Sequence, residues 1–597
     1  MYLLLFLLGA GLNILLGAHE WPGVLAGSLT DPDSYMRLLR LEDGIRAGHL
    51  VIVVARDDSG AGVMVEWSRL LDMVLWLLAL PFAPFLGWHR ALYVAGVGLG
   101  PLGAGALGVA CAWVAEPFAA RRYLWAAVVA AAMLPALLYF DAPGVVHYHT
   151  LLLVLIVLTA GCVARAWQDD VTYGLLAGVS GAFAIWLTPE TMPFVLMAFA
   201  ALLIRWVQAP LCRTVGACVA GFFDVLSVAL IVDPPQGGWG MPEIDRLSLV
   251  YVALAMLLLA GAAGLWALET RGAGRKKIWR RVLGVALMAA LVAAWVVAFP
   301  QVAMGPYGIM PAADMHKFFG VIAQQQPVRG MGLLVYLGPG ALALAYALWR
   351  AGAGSGAGAG EPDALAWLQP PFMKIVPGRA RWLWLYVAAC TAVALVLGAE
   401  FVLFAGFAPC VAAVLLPLAL SEVSLRFEAK PALAMVSRLA LLLCVLVVPV
   451  AAAAVNTAAV GTVVAPGAGA ASCNLRDIAP LLAPAAGKIV LAEPQDTPEL
   501  LYRTQVKTVG SLYHHGLAGY LRDRDAWRVV PGAQVPDAVR VTGAQYVLFC
   551  PRAGRYALVA DLPATTLWDA LAAGNQPVWL QPAGSNAQGW RLYKMTD

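Results

Sequence analysis

Residues 31–44 read DPDSYMRLLRLEDG and begin about a dozen positions after the apolar run that opens the chain. Pro32 between Asp31 and Asp33 favours an extended start, and the spacing of Tyr35, Leu38, Leu39 and Leu41 predicts a helix beginning near Asp33. A carboxylate at that point can cap the helix, which explains one aspartate. Capping does not explain why a second aspartate, Arg37 and Arg40 crowd the same membrane edge, so a functional role stands beside it. His147 and His149, two apart in VHYHT, can ligate a metal, hydrogen-bond a phosphate or lie in a wet loop. Glu190, in TPETMP, falls at a helix start where capping is its ordinary role.

The elements that must position these residues are set by composition. The chain is 597 residues long, 61% hydrophobic and 12% charged, with mean hydropathy +0.77. Soluble domains carry about 25% charged residues, and a soluble core does not explain half that value over such a length; repeated membrane spans do. A net charge of +4 gives no nucleic-acid signature. Apolar runs separated by polar breaks predict about 13 spans, near 1–18, 91–115, 123–140, 150–165, 172–188, 191–206, 214–232, 247–268, 282–299, 331–349, 382–398, 401–420 and 438–457. The opening run lacks a signal peptide's basic flank and reads as a retained span. The 69–87 segment is long enough to cross, but its two prolines and Asp72 suggest a helix lying in the interface.

Charge decides between those options. With 69–87 not crossing, Arg121 and Arg122, Arg165, Arg205 and Arg213, RGAGRKKIWRR at 271–281, Arg350 to Arg381, and Arg426, Lys430 and Arg438 share one side. The opposite, outer side then collects 19–90, 141–149, 189–190, 233–246, 300–330 and the C-terminal tail. AGAGSGAGAGEP at 351–362 reads as a flexible inner linker, and no internal repeat is visible. The expected organisation is a transmembrane domain over 1–460 and, over 461–597, a small α/β domain on the outer side. GKIVLAEP, TQVKTVGS, AQYVLFC and GWRLYKM are its candidate strands, and TLWDALAAG is a helical stretch. Seven of nine cysteines lie in or beside apolar runs, whereas Cys473 and Cys550 fall in this more polar region and can pair if it faces an oxidising compartment.

D-x-D-S-Y in a first outer loop, followed by a short membrane-parallel helix, resembles the glycosyltransferase C superfamily. About 13 spans and an outer C-terminal domain are similar to the catalytic subunits of oligosaccharyltransferases, and EWSRLLD at 66–72 resembles the end of the first loop in bacterial relatives. The family places an Asp-x-Asp before its fourth span; VHYHT stands there, with His147 and His149 in place of carboxylates. Where the family's long outer loop carries a metal-holding Glu, MHKFFGVIAQQQP offers Gln324, Gln325 and Gln326. The Trp-Trp-Asp signature that reads a glycosylation sequon is missing; GSLYHHGLAGY at 510–520 is the most distinctive polar stretch of the tail.

The resemblance implies transfer of a sugar from a polyprenyl-phosphate or diphosphate carrier to a lipid, polysaccharide or other acceptor on the outer face of a bacterial inner membrane, with the tail in the periplasm. The departures argue against asparagine glycosylation. Asp33 is then the candidate base, with Asp31 in reserve; Arg37, Arg69, His147, His149, His316, Lys317 and Arg329 are candidates for the donor phosphate. Glu190 is a further polar candidate, and Asp33, His147 and His149 could hold a divalent metal, Mg or Mn. A flippase or transporter for a lipid-linked sugar is the alternative, although no repeat symmetry or midplane break supports it. A non-catalytic scaffold whose tail binds an envelope partner is a third.

Overall fold

The computed structural model describes residues 1–209, 211–270, 277–353, 377–463, 473–552 and 555–596. Most of the basic 271–281 run and of the 351–362 linker lie outside the described residues, as does the stretch beside the expected boundary near 460.

Among the described residues, ten helices are long and apolar enough to cross a bilayer, and Arg121–Met133 with Pro135–Asp141 forms one further span bent by 65°. With the shorter apolar helices Tyr2–Leu16 and Val171–Leu187, these match the 13 expected segments one for one. The bend falls at Pro135, which has no N–H to continue the helix before it. Arg69–Ala79 has 11 residues, a length of about 16 Å, half of a hydrocarbon core. The Ala83–Ala115 helix breaks at Gly87, whose φ of 73° excludes most other residues. The crossing portion therefore starts after Gly87, and 69–87 lies at the edge.

Tyr2–Leu16 buries Leu5, Gly9 and Asn13, one stripe at helical spacing. A Cβ on Gly9 would lie 3.1 Å from Gly105 Cα, so the first two spans meet backbone to backbone through small residues. Asn13 Nδ2 donates to the Asp141 carbonyl at 2.8 Å, fixing the first span against the end of the bent one.

The C-terminal domain holds a five-stranded sheet in the order β4-β3-β5-β7-β6, with β3 Ile489–Leu491, β4 Lys507–Thr508, β5 Tyr546–Phe549, β6 Leu580–Ser585 and β7 Arg591–Met595. β3 is parallel to β4 and β5, and the hairpin β6–β7 adds antiparallel to β5. A two-stranded ribbon in the first loop, β1 Val53–Val54 with β2 Val63–Met64, packs outside this sheet. Trp527, Tyr520, Val547 and Leu567 form the domain core. Cys473 and Cys550 are disulfide-bonded, with Cα atoms 5.8 Å apart.

Loop 19–90 and the C-terminal domain are tied together by many contacts. Arg56 donates to the carbonyls of Leu501 and Thr504, both at 2.6 Å, and its own carbonyl accepts from Thr508 N. Ser59 Oγ donates to the Thr542 carbonyl at 2.8 Å, and Asp58 pairs with Arg522. Tyr520 donates to the Lys317 carbonyl at 2.9 Å, while Phe318 enters the domain core. Asp245 meets His514. The expected outer connectors and the tail therefore gather at one end of the bundle. At the opposite end Arg438 donates to Tyr123 Oη, and Arg205 to the Trp167 carbonyl.

Candidate active site

The helix expected near Asp33 spans Pro32–Ala47, one residue earlier than the sequence suggests, and its N-cap is Asp31. Pro32 occupies the first helical position, where its missing N–H costs nothing. Asp31 accepts from Ser34 N at 3.0 Å and from Ser34 Oγ at 2.8 Å. Ser34 Oγ in turn accepts from Val146 N at 2.7 Å, bringing the 142–148 loop onto the helix start. Asp33, freed from capping, accepts a hydrogen bond from Tyr513 Oη at 2.9 Å. Its side chain keeps 36% of its surface open.

His147 closes the group. Its Nε2 lies 3.0 Å from Asp31 Oδ1 and 3.6 Å from Asp33 Oδ2. Burial opposes charge on Asp31, but His147 and the Ser34 donors outweigh it and hold the carboxyl below the usual range. Burial raises Asp33, and the Asp31 charge adds to that against the pull of His147, Tyr513 and Arg37. The two aspartates thus differ in kind: one is a fixed anion, the other a carboxyl readier to take a proton.

His149 stands behind His147, with their Nδ1 atoms 3.2 Å apart. It stacks between Phe140, at 4.2 Å, and Tyr148, at 4.4 Å. The Asp31 carboxylate, which only accepts, places a proton on His147 Nε2; the Nδ1 of a neutral His147 then accepts from that of His149. The sequence grouped Asp33, His147 and His149 as metal ligands; the atoms that converge within 4.8 Å are instead those of Asp31, Asp33 and His147. His149 is directed to His147 rather than to the carboxylates. Two carboxylate oxygens and one imidazole nitrogen are a donor set that suits a divalent ion. Glu190 lies beside this group, accepting from Tyr148 Oη at 3.4 Å.

A buried cationic layer underlies the aspartates. Arg37, Arg40, Arg69 and Arg246 are each less than 5% exposed. Arg40 holds Asp72 at 2.6 Å and donates to the Val65 and Trp67 carbonyls, leaving Arg37 a weaker hold on Asp72 at 3.5 Å. The Arg37 guanidinium lies 4.3 Å from the Trp67 ring centroid, and its Nε has no hydrogen-bond partner among the described residues. Arg69 N donates to Asp233 Oδ2 at 2.8 Å; the same carboxylate binds Arg246 at 2.6 Å and Trp186 Nε1 at 3.0 Å. Burial, with Arg40 close by, pushes Arg69 down to about 10, which leaves it a cation at neutral pH.

The sequence candidates therefore separate. Asp31, Asp33, Arg37, His147, His149 and Glu190 form one neighbourhood. Arg69 is engaged with Asp233 as part of a clasp between loops. His316 and Arg329 are exposed, and Lys317, also exposed, pairs with Asp314 at 2.9 Å on the helix Ala312–Phe319. Phe318 of that helix enters the core of the C-terminal domain, and the polar side chains beside it are exposed. Residues the sequence did not single out complete the site: Tyr513 on Asp33, Trp67 under Arg37, and Asp72 between two arginines. EWSRLLD and GSLYHHGLAGY contain the first, second and third of these signals only as unusual polar stretches; nothing local pairs them across some 450 positions.

No known family profile matches this chain, and no curated protein matches it. Solved structures do. The archaeal oligosaccharyltransferase AglB from Archaeoglobus fulgidus, in complex with an inhibitory peptide and a dolichol-phosphate, aligns at 12% identity over 92% of this chain and 69% of its own, with a TM-score of 0.68. The apo form of the Archaeoglobus fulgidus oligosaccharyltransferase aligns at 13% identity, 92% and 70% coverage and a TM-score of 0.69. The form tethered to an acceptor peptide containing the NVT sequon aligns at 12%, 100% and 74%, again with 0.69.

Proposed function

We propose, on a polytopic chain with the glycosyltransferase C fold in its oligosaccharyltransferase-like form, a membrane glycosyltransferase that moves a sugar from a polyprenyl-phosphate or diphosphate carrier to a lipid, polysaccharide or other acceptor. The observation that carries this reading is the Asp31–Asp33–His147 group, set where the first outer loop meets the spans and backed by buried arginine. An AglB structure containing dolichol-phosphate supports a lipid-phosphate donor class.

In this reading Asp33 takes the proton of the acceptor hydroxyl. The freed oxygen attacks the anomeric carbon, and the bond from that carbon to the phosphate oxygen breaks with its electron pair going to phosphate. Asp33 suits the base role because its carboxyl is open, uncommitted to capping and raised by burial above its ordinary range. Asp31, committed to Ser34 and His147, is the reserve and the orienter. Arg37 is the cation whose charge acts on Asp33, and the layer it belongs to offers a preorganised positive field to the departing phosphate. A divalent ion held by Asp31, Asp33 and His147 would, when bound, supply Lewis-acid stabilisation to the phosphate oxygens.

An apolar cavity between spans, from Phe194 and Phe407 near the site end to Trp384 and Arg350 at the other, offers a bed for the carrier chain. The Cys473–Cys550 disulfide supports an oxidising compartment for the C-terminal domain, and the basic residues at the opposite end of the bundle support a periplasmic face at a bacterial inner membrane. The experiment is reconstitution in vesicles with a panel of polyprenyl-phosphate sugars, following both carrier-phosphate release and movement of intact donor across the bilayer. Release without net translocation supports transfer. Translocation without release would replace this reading with a flippase.

A further inference from the structure

Glu66–Trp67 and Tyr513–His514 are neighbouring dipeptides on two different parts of the chain. Trp67 and Tyr513 meet edge to face at 5.4 Å, against Arg37 and Asp33 respectively. The other two residues meet each other: Glu66 Oε1 lies 3.7 Å from His514 Nδ1. His515 and Asp245 complete the cluster, with Asp245 Oδ2 2.7 Å from the Nε2 of His514 and 2.7 Å from that of His515. Glu66, His514 and His515 each present a ligand atom within 4.8 Å of the others. The four side chains are 17%, 14%, 27% and 12% exposed in the order Glu66, His514, His515, Asp245. Glu66 Oε2 is buried without a hydrogen-bond partner among the described residues.

Among the described residues, the ion-pair partners of Glu66 and Asp245 are these imidazoles alone. Two imidazole nitrogens and one carboxylate, as Glu66, His514 and His515 present them, are the ligand types that a borderline-soft divalent ion selects. The partly open His515 gives such an ion a route in.

We propose that Glu66, His514 and His515 bind a divalent transition-metal ion of the zinc class, distinct from the Asp31–Asp33–His147 group. Asp245, as the outer carboxylate on both imidazoles, brings in the 233–248 loop, and the ion joins the end of the first outer loop to the C-terminal domain. Because Tyr513 precedes His514 and Trp67 follows Glu66, it also holds Tyr513 on Asp33 and Trp67 under Arg37. Tyr513 is thereby a positioning residue. The proposal does not depend on the transferase reading, since its measure is metal binding.

The test is Co²⁺ titration of the chelator-stripped full chain in detergent, read by visible absorption. One bound equivalent with ligand-field bands is expected that His515→Ala weakens by about tenfold or more in affinity, counted apart from any ion at the Asp31–Asp33–His147 group, since even outer-shell substitutions cost about that much. Glu66→Gln, which keeps the side chain's shape, should weaken it in the same sense, and His147→Ala should leave it intact. His515 is the most exposed of the four, so its variant is the one least expected to disturb folding. Absence of Co²⁺ binding, binding indifferent to His515→Ala and Glu66→Gln, or binding lost only in His147→Ala would overturn the site and leave an ion-pair clasp.

Discussion

Asp31 and Asp33 are two residues apart, yet the account gives them separable roles, which Asp33→Asn and Asp31→Ala distinguish. Asparagine at position 33 still accepts the Tyr513 hydrogen bond, made at 2.9 Å, so the expected loss of stability is under about 1 kcal/mol. It cannot take a proton, and loss of a general base is expected to slow turnover by about 10²–10⁴-fold, or about 3–5 kcal/mol in the barrier. Alanine at position 31 removes an N-cap bonded to Ser34 and the 3.0 Å partner of His147. The cap contributes about 1 kcal/mol and the charge-assisted bond about 1.5–3 kcal/mol, so a loss of about 2–4 kcal/mol is expected. The assay pairs carrier-phosphate release in nanodiscs with thermal denaturation of the same samples. Turnover above about a tenth of normal in Asp33→Asn, or two variants whose activity simply follows their stability, would refute the division of roles.

Burial pushes Asp57 up to about 6 despite three donors from Ser511, Thr508 and Asp58 N. Its raised value means the docked state keeps a proton that the undocked state releases: the penalty is absent below about pH 4, grows toward pH 6 and stays at about 3 kcal/mol above it. Melting curves of the native chain should therefore fall relative to Asp57→Asn as pH rises from 4.5 to 7.5; parallel curves would contradict this. Arg56→Ala removes a guanidinium bonded to the Leu501 and Thr504 carbonyls and should weaken docking by about 2–4 kcal/mol, read as faster proteolytic release of the C-terminal domain. Replacing Cys473 and Cys550 by serine frees a sequence separation of 77 residues, for which chain entropy gives a loss of up to about 4.5 kcal/mol, measured by denaturant unfolding monitored through the domain's tryptophans.

Much of this architecture is legible locally because the bilayer imposes a strong rule: long apolar runs must be helices, and basic connectors must share a side. The strands β3, β4, β5 and β7 are visible through their apolar and β-branched runs. β6, LQPAGS, is not, because Pro582 and Gly584 interrupt any alternation and the strand is an exposed edge. At the site, the D-x-D-S and HYH types were readable, but which aspartate caps depended on Pro32 starting the helix one residue early. The role of His149 depended on the direction of its Nδ1. Tyr513 reaches Asp33 across 480 positions, and Arg69 finds Asp233 across 164; no period or motif encodes such pairings. His316, Lys317 and Arg329 share a predicted face with the site; in the structure Phe318 docks the helix of the first two on the C-terminal domain, and Arg329 lies exposed beyond that helix.

The most direct test of the central claim is mass spectrometry of lipids carried by the gently purified full chain, before and after incubation with a panel of polyprenyl-phosphate sugars. The account expects a bound polyprenyl phosphate or its sugar, retained in Asp33→Asn and depleted in Arg37→Gln. Ordinary phospholipid alone, with no donor acquired from the panel, would contradict it.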